Sequence, residues 1–316
     1  MKFLHLIIFL LFFHTTLFSS TFLVIPSFTN QSGGLRVKIS DYLITQNYQI
    51  TETYAFSYYI NGNYLASLRN EFKADQTAYS IRFTGLQLGQ YYYPEPLVSE
   101  TLNYTYSQLS ITGSFLQLVG RNYWFGFGGG IRQFDRISLD DPDSFPPLEY
   151  GHEGGTDYEL SSYFIIDTRD RILQPLNGYY IRTNLQSHVF NLYGSNIWYG
   201  GIVDGFYYSQ SLPDTRLMVR LFTHHVTDKA PYYLLPSNDG GLMMKGMIRH
   251  RFRGRHFYSG LIDFERHNIW EQFGLGVFLD IVGINDGTAI NAGDSPLIYG
   301  GATLFRHDSE KNLKFF

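Results

Sequence analysis

The sequence predicts an all-β fold, and more specifically a transmembrane antiparallel up-and-down β-barrel. Many short segments alternate apolar and polar residues, and turn-forming residues separate them. After residue 30 every continuous apolar stretch is much shorter than the about 18 residues that a membrane-spanning helix requires. A mature chain that crosses a bilayer must therefore do so as a closed barrel, because only helices and barrels satisfy their backbone groups in lipid.

The first 20 residues are predicted to be a secretory signal peptide. Lys2 supplies a cationic start, an apolar run covers residues 3–13, and small residues follow up to Ser20. The alternative is an uncleaved anchor, but the run is short for a span of about 20 residues. Residues 21–316 then form a single outer-membrane β-barrel domain.

The predicted strands follow one another with short connections. Asn61-Gly62 is a strong hairpin signal, and Gly120-Arg121-Asn122 separates another pair of runs. We count roughly 14 or 15 strand-like segments, the pattern of an up-and-down meander. The clearest period-two alternation covers residues 79–84, 123–132, 179–186 and 216–221.

A soluble sandwich with its apolar face inward would also alternate. Two features favour a membrane barrel with that face outward. Tyrosines end several strands, as in Tyr91-Tyr92-Tyr93, which is typical of interfacial girdles. Arginines recur on the polar face, as expected of a watery lumen, at Arg82, Arg182, Arg216 and Arg220.

Composition narrows the function classes. The net charge of -4 argues against a nucleic-acid partner, which requires a basic face. The absence of Cys excludes disulfides, thiolate metal sites and a cysteine nucleophile. We expect no metal and no cofactor, and we expect outer-membrane lipids as partners.

One segment resembles the strand–turn–strand signature of the bacterial surface antigen family, which includes the BamA/TamA-type outer-membrane barrels. In it a turn is expected at Pro175 and Gly178, and Tyr179 starts a lipid-facing strand. The residues that carry the resemblance are Asp167, Thr168, Arg169, Asp170, Pro175, Gly178, Tyr179 and Tyr180.

A second segment, residues 240–256, resembles the long external loop of that family, which folds back into the lumen. The family's loop tip reads aliphatic-Arg-Gly-aromatic, whereas this chain has Met244-Lys245-Gly246-Met247. The strand 261–266 resembles the family's acidic-aromatic-basic strand, and Phe278-Leu279-Asp280 resembles its Phe-x-Asp motif.

The resemblance implies an electrostatic latch. Lys245 would be the loop cation and Asp280 its acceptor, with Asp263 or Glu265 nearby, because a charge in a confined lumen is costly unless it is paired. Gly246 would allow the tight backbone turn. Lysine lacks the planar fork of arginine, so the latch should be looser. The alternative is that Lys245 is a solvated loop charge.

The sequence departs from the family in two respects. The predicted barrel begins shortly after the signal peptide, without POTRA modules. The family barrel has nominally 16 strands, and the end of this sequence, Asn312 to Phe316, resembles the beginning of the penultimate strand. We therefore expect either that the last strand is missing because the sequence is a fragment, or that the barrel closes with fewer strands.

Catalysis is not expected. His224-His225 with Asp228, and the set Ser259, Asp263 and His267, have suitable residue types. On strands, however, the two histidines point to opposite faces. The second set is spread over too great a distance to form one triad.

These observations predict a bacterial outer-membrane protein that is not an enzyme. Its function, implied by the family resemblance, is insertion or translocation of protein or lipid at the outer membrane. The alternative is a passive diffusion channel or a structural barrel, which the arginine-lined polar face favours.

Overall fold

The computed structural model describes most of the chain, with gaps mainly at the connections. The described residues are 19–28, 33–44, 48–59, 64–74, 76–92, 102–135, 138–139, 153–171, 175–191, 196–231, 234–238, 253–270, 273–285, 297–308 and 313–315. The predicted signal peptide lies almost wholly outside them and stays a prediction.

The described residues are almost entirely β-strand. The strands are β1 (Ser19–Phe28), β2 (Gly33–Ile44), β3 (Tyr48–Tyr59), β4 (Tyr64–Ala74), β5 (Thr77–Tyr92), β6 (Leu102–Leu118), β7 (Tyr123–Phe134), β8 (Ser138–Leu139), β9 (Gly155–Asp167), β10 (Gly178–Phe190), β11 (Asn196–Ser209), β12 (Thr215–Val226), β13 (His256–Trp270), β14 (Phe273–Asn285), β15 (Leu297–Asp308) and β16 (Leu313–Phe315).

All sixteen strands belong to one antiparallel sheet, in which each strand pairs with the next along the chain. The exception is the two-residue β8, which pairs with β6, so that β7 pairs directly with β9. Within the described ranges no pairing joins β1 to β15 or β16. The up-and-down meander confirms the predicted fold class.

The two ends of the sheet differ in their connections. At one end, called here the short-turn end, the segments 45–47, 75–76, 119–122 and 271–272 join neighbouring strands. At the other end, called the long-loop end, the segments 135–154, 227–255 and 286–296 are much longer. In outer-membrane barrels the short turns face the periplasm and the long loops face outward. In the described part of the chain no helix is long and apolar enough to cross a bilayer.

The two faces of the sheet differ in chemistry, as the period-two alternation predicts. On β12, Leu221 on the outer face is 65% exposed, whereas its inner-face neighbours Arg220 and Phe222 are 5% and 6% exposed. Large apolar side chains are exposed in the same way on the outer face of other strands. They include Phe125, Phe127, Ile131, Leu160, Leu185, Tyr207, Ile262, Phe264, Val277 and Leu279.

Such a continuous apolar surface is far larger than water-soluble monomers tolerate. It matches the outward apolar band of a transmembrane barrel, in which lipid replaces water. The polar arginines of the sequence prediction, such as Arg182 and Arg220, lie on the opposite face, and the space on that side of the sheet is called here the lumen.

The inner face also carries small apolar clusters between its polar groups. Phe222 and Phe257 pack with Val282 and Ile284 across β12, β13 and β14. A second cluster joins Tyr208 of β11 to its neighbours on β12 and β13. These clusters fill part of the lumen and hold the adjacent strands together.

Candidate functional site

A buried ionic group links β7 to β9 on the inner face. The register places Arg132 opposite Asp157, so the guanidinium can reach the carboxylates at alternate positions of β9. Arg132 Nη1 donates to Asp157 Oδ2 at 2.8 Å, and Nη2 donates to Glu159. The Asp157 side chain is completely buried, so this pairing is required to offset its desolvation.

The same carboxylates are contacted from β10. His188 Nδ1 lies 3.0 Å from Asp157 Oδ2, and Gln186 Nε2 donates to Glu159 Oε1 at 3.3 Å. The His188 ring in turn stacks on Trp198 of β11, with 3.6 Å between ring centroids and 6° between planes. A continuous set of contacts therefore runs across four neighbouring strands, from β7 to β11.

Trp198 is also the point at which the long connection 227–255 meets the lumen. The indole packs with Val226 and Ala230, and Leu234 and Leu235 pack against this cluster. Trp198 is 2% exposed and lies on the inner face. The start of the connection therefore folds back over the inner face instead of extending away from the sheet.

The two ends of this connection are held together at its base. Ser237 forms a β-bridge with Arg253, and Gly254 N donates to Pro236 O at 3.0 Å. Asn238 and Arg253 are buried. The connection thus closes into a loop whose base is anchored inside the long-loop end of the sheet.

A second charged pair stands on β11 and β12. Arg220 Nε donates to Asp204 Oδ1 at 2.8 Å, and Nη2 donates to Oδ2 at 3.1 Å. The guanidinium also lies 4.8 Å from the ring centroid of Phe206 and 5.2 Å from that of Phe222. This bidentate, aromatic-flanked geometry suits arginine and would be lost with lysine.

The predicted latch acceptors lie together on the inner faces of β13 and β14. Asp263, Glu265 and Asp280 are all buried. Glu265 accepts a hydrogen bond from Arg216 Nη2 at 2.7 Å, and Asp280 accepts one from the Tyr299 hydroxyl at 2.8 Å. A concentration of acidic groups of this kind is what a loop cation would require.

Lys245 and Gly246, the predicted loop tip, lie outside the described residues. The latch between Lys245 and Asp280 therefore stays a prediction. The described contacts add Arg216 and Tyr299 as neighbours of the acidic group, and sequence reasoning had not linked these two residues to it.

The turn between β9 and β10 contains the first family-like motif. Arg169 Nε and Nη2 donate to the two Asp167 carboxylate oxygens at 2.8 and 2.7 Å, and its guanidinium lies 4.5 Å from the ring centroid of Tyr180. Thr168 Oγ1 accepts a hydrogen bond from Tyr179 N at 2.9 Å. Tyr179 itself is exposed on the outer face.

Asp170 closes the far side of the same turn. Its Oδ1 accepts a hydrogen bond from Leu176 N at 3.0 Å, and its backbone N donates to Asn177 O at 3.0 Å. Partial burial acts to raise the pKa of the Asp170 carboxyl. The hydrogen bonds from the backbone of the turn outweigh this effect, and the pKa is lowered from its ordinary value. Pro175 is buried in the turn.

Gly178 is required where β10 begins. Its φ is 107°, in the region that favours glycine, and a Cβ there would lie 2.8 Å from Arg169 Cα. The glycine thus permits the close approach of the two sides of the turn.

A cavity of about 500 Å³ occupies the lumen toward the short-turn end. Its lining comes from β4, β5, β6, β7, β9 and β10, mostly from the strand ends nearest the short turns. Arg82 and Arg182, two of the arginines predicted to face a watery lumen, both line it, together with Arg69, Glu71 and Glu159.

The structure does not assemble the catalytic candidates into a triad. Ser259, Asp263 and His267 lie along β13, where successive members are about 13 Å apart along an extended strand. His225 is exposed on the outer face, with its Nδ1 3.1 Å from His256 Nδ1, whereas His224 lies on the inner face beside Phe222.

Sequence reasoning missed the group around Asp157. The available signal was the spacing: Asp157 and Glu159 are two residues apart and therefore share one face of a strand, and Arg132 ends the alternating stretch 123–132. Their partnership across strands depends on the register, which the sequence pattern alone leaves open.

No known protein-family model matches the chain. No curated protein matches its sequence either. Comparison with solved structures does find likenesses. BamA from Haemophilus ducreyi lacking POTRA domains 1-3 superposes with a TM-score of 0.62 at 11% sequence identity, over 92% of this chain and 65% of that chain.

CdiB from Acinetobacter baumannii superposes with a TM-score of 0.57 at 9% identity, over 92% of this chain and 60% of that chain. The chain thus spans less than two thirds of the length of either protein. At these identities the likeness concerns the fold, which agrees with the predicted location in the bacterial outer membrane. This chain therefore has the fold of the BamA and CdiB outer-membrane β-barrels.

Proposed function

We propose that this chain is an outer-membrane β-barrel that inserts or translocates protein or lipid at the outer membrane, with the start of the connection 227–255 folded over its inner face. The observation that carries the proposal is the packing of Ala230, Leu234 and Leu235 against the inner-face Trp198. The fold likeness to BamA and CdiB supports it. Its partners are outer-membrane lipids and a client protein or lipid.

A reconstitution experiment tests this function. The full chain is placed in liposomes, an unfolded outer-membrane barrel protein is added, and folding of that client is followed by its heat-modifiable migration. We expect faster client folding than in empty liposomes of the same composition. An equal rate with and without the protein contradicts an insertion role for clients of this class.

The inward-folded connection has its own test. Replacing Trp198 by alanine removes the cluster on which the connection packs, so we expect a larger and less steady conductance in planar bilayers. Tyr199→Ala is the matched control, because Tyr199 is the adjacent aromatic residue and is exposed on the outer face. Unchanged conductance in folded W198A would show that the connection does not obstruct the lumen.

The proposed latch is tested by a charge swap. Lys245→Asp and Asp280→Lys should each impair assembly, because each leaves like charges facing one another in the lumen. The double variant should recover part of the loss. If both single variants and the double variant assemble like the wild type, Lys245 is a solvated loop charge.

A passive diffusion channel is the second candidate, and the lumenal cavity lined by Arg82 and Arg182 favours it. Conductance of the wild-type protein separates the two candidates. A steady, large, ungated pore favours diffusion, whereas a closed or flickering one favours the folded-in connection.

A further inference from the structure

The cavity at the short-turn end has an unbalanced charge. Its lining includes three arginines and two glutamates, namely Arg69, Arg82, Arg182, Glu71 and Glu159. Three of these five charges are already paired: Arg69 donates to Glu71, and Glu159 accepts from Arg132, which stands outside the lining. The lining therefore carries one positive charge in excess, and Arg82 and Arg182 are the two of its cations that form no ion pair within the described residues.

Arg182 is the more constrained of the two. Its Nε atom is buried and has no hydrogen-bond acceptor within the described residues. A guanidinium donor kept from water without an acceptor is costly. An anion in the cavity, bound by the part of the guanidinium that lines it, adds a favourable charge–charge interaction, so the arrangement is complementary to a negatively charged ligand.

The rest of the lining adds neutral hydrogen-bonding groups. Ser80 and Ser114, whose hydroxyl oxygens are 2.9 Å apart, contribute at one side. Tyr163 and Tyr180 contribute at the other side, on β9 and β10. Hydroxyl donors next to guanidinium groups are the groups that bind oxyanions.

A glycine on the inner face of β7 makes room for this arrangement. A Cβ on Gly128 would lie 2.8 Å from Tyr163 Cε2 and 2.9 Å from Ser161 Oγ. The tyrosine ring therefore lies close against the backbone of β7, and a side chain at position 128 would displace it.

We propose that this cavity binds a phosphate-bearing anion. The excess positive charge of the lining favours an anion, and the guanidinium forks of Arg82 and Arg182 pair well with phosphate oxygens. A volume of about 500 Å³ is that of a site for a small organic molecule, so there is room for a group attached to the phosphate.

The site is separate from the connection 227–255. It lies toward the short-turn end, on β4–β7, β9 and β10, whereas the connection packs on Trp198 near the long-loop end. A test of anion binding at this site is therefore independent of a test of the proposed insertion function. The phosphate can come from free phosphate in the periplasm or from a lipid headgroup.

Calorimetric titration of the folded full chain in a zwitterionic, phosphate-free detergent tests the proposal. The probes are inorganic phosphate and glycerol 3-phosphate, the latter as a soluble form of a lipid headgroup. We expect one site per chain. Tighter binding of glycerol 3-phosphate assigns the site to an organic phosphate, whereas equal affinity assigns it to free phosphate.

Arg82→Gln and Arg182→Gln should each weaken binding by about ten-fold or more, because each removes a charge-assisted contact. Arg121→Gln, in the exposed turn between β6 and β7, is the matched control and should bind like the wild type. Heat-modifiable migration checks that each variant folds.

The proposal is overturned if the wild type binds neither probe, a result that requires no variant. It is equally overturned if the folded R82Q and R182Q variants keep wild-type affinity. Where one variant fails to fold, the other together with the wild-type titration decides the matter.

Discussion

Replacing Leu221 by arginine tests whether the outer face meets lipid. Leu221 lies at the middle of the 12-residue strand β12 and is 65% exposed. In a transmembrane barrel an arginine at the bilayer midplane costs about 2–4 kcal/mol, and near the interfaces about 0–1 kcal/mol. In water the same substitution at an exposed site stays within about 0.5 kcal/mol.

A second position on the same strand tests how the cost of an arginine depends on its depth in the membrane. Leu217 lies four residues from Leu221 on the same face, about 13 Å along the strand. With a strand tilt of about 40°, this is about 10 Å along the membrane normal, close to the edge of an apolar band about 25 Å tall. Leu217→Arg should therefore cost about 0–1 kcal/mol, well below the cost of Leu221→Arg.

The assay is reversible urea unfolding of the full chain from liposomes, followed by tryptophan fluorescence. The difference in unfolding free energy between wild type and each variant gives the two costs directly. If Leu221→Arg is neutral, or costs the same as Leu217→Arg, the outer face does not lie in a bilayer.

Three further substitutions probe the inner face and the turn by the same unfolding assay. Arg132→Gln should lower the free energy of unfolding by about 3–5 kcal/mol, because it leaves two buried carboxylates of β9 without their cation. A decrease below about 1 kcal/mol would show that these charges are solvated. Gly178→Val should cost about 1–3 kcal/mol because of its φ of 107°, whereas Gly201→Ala, which meets only ordinary contacts, should be close to neutral. Tyr299→Phe should cost about 1–3 kcal/mol, since the buried Asp280 loses a donor; an unchanged stability would contradict this role.

Much of the fold was predictable because the side-chain period of a strand is two. The alternation around Phe125 and Phe127, and again around Leu221, assigned these residues to one face without any structure. The short polar segment at Gly120 to Asn122 likewise predicted the turn that joins β6 to β7.

The candidate site was predictable only in part. The acidic residues Asp263, Glu265 and Asp280 were identified from a resemblance, and the structure places them together on the inner face. Their contacts to Arg216 and Tyr299 come from neighbouring strands. No local sequence pattern identifies such partners, because a shift of one residue in register would place each side chain on the other face of the sheet.

The sequence by itself determined which residues of each strand are apolar and which are polar, and hence that a barrel in lipid, with a polar lumen, satisfies both the backbone and the side chains. Only the tertiary structure decided which residues meet across strands. Arg132 faces Asp157, and Trp198 receives the start of the connection 227–255. The physical reason is that alternation is a property of one strand, whereas register and loop packing depend on pairs of segments far apart in the chain.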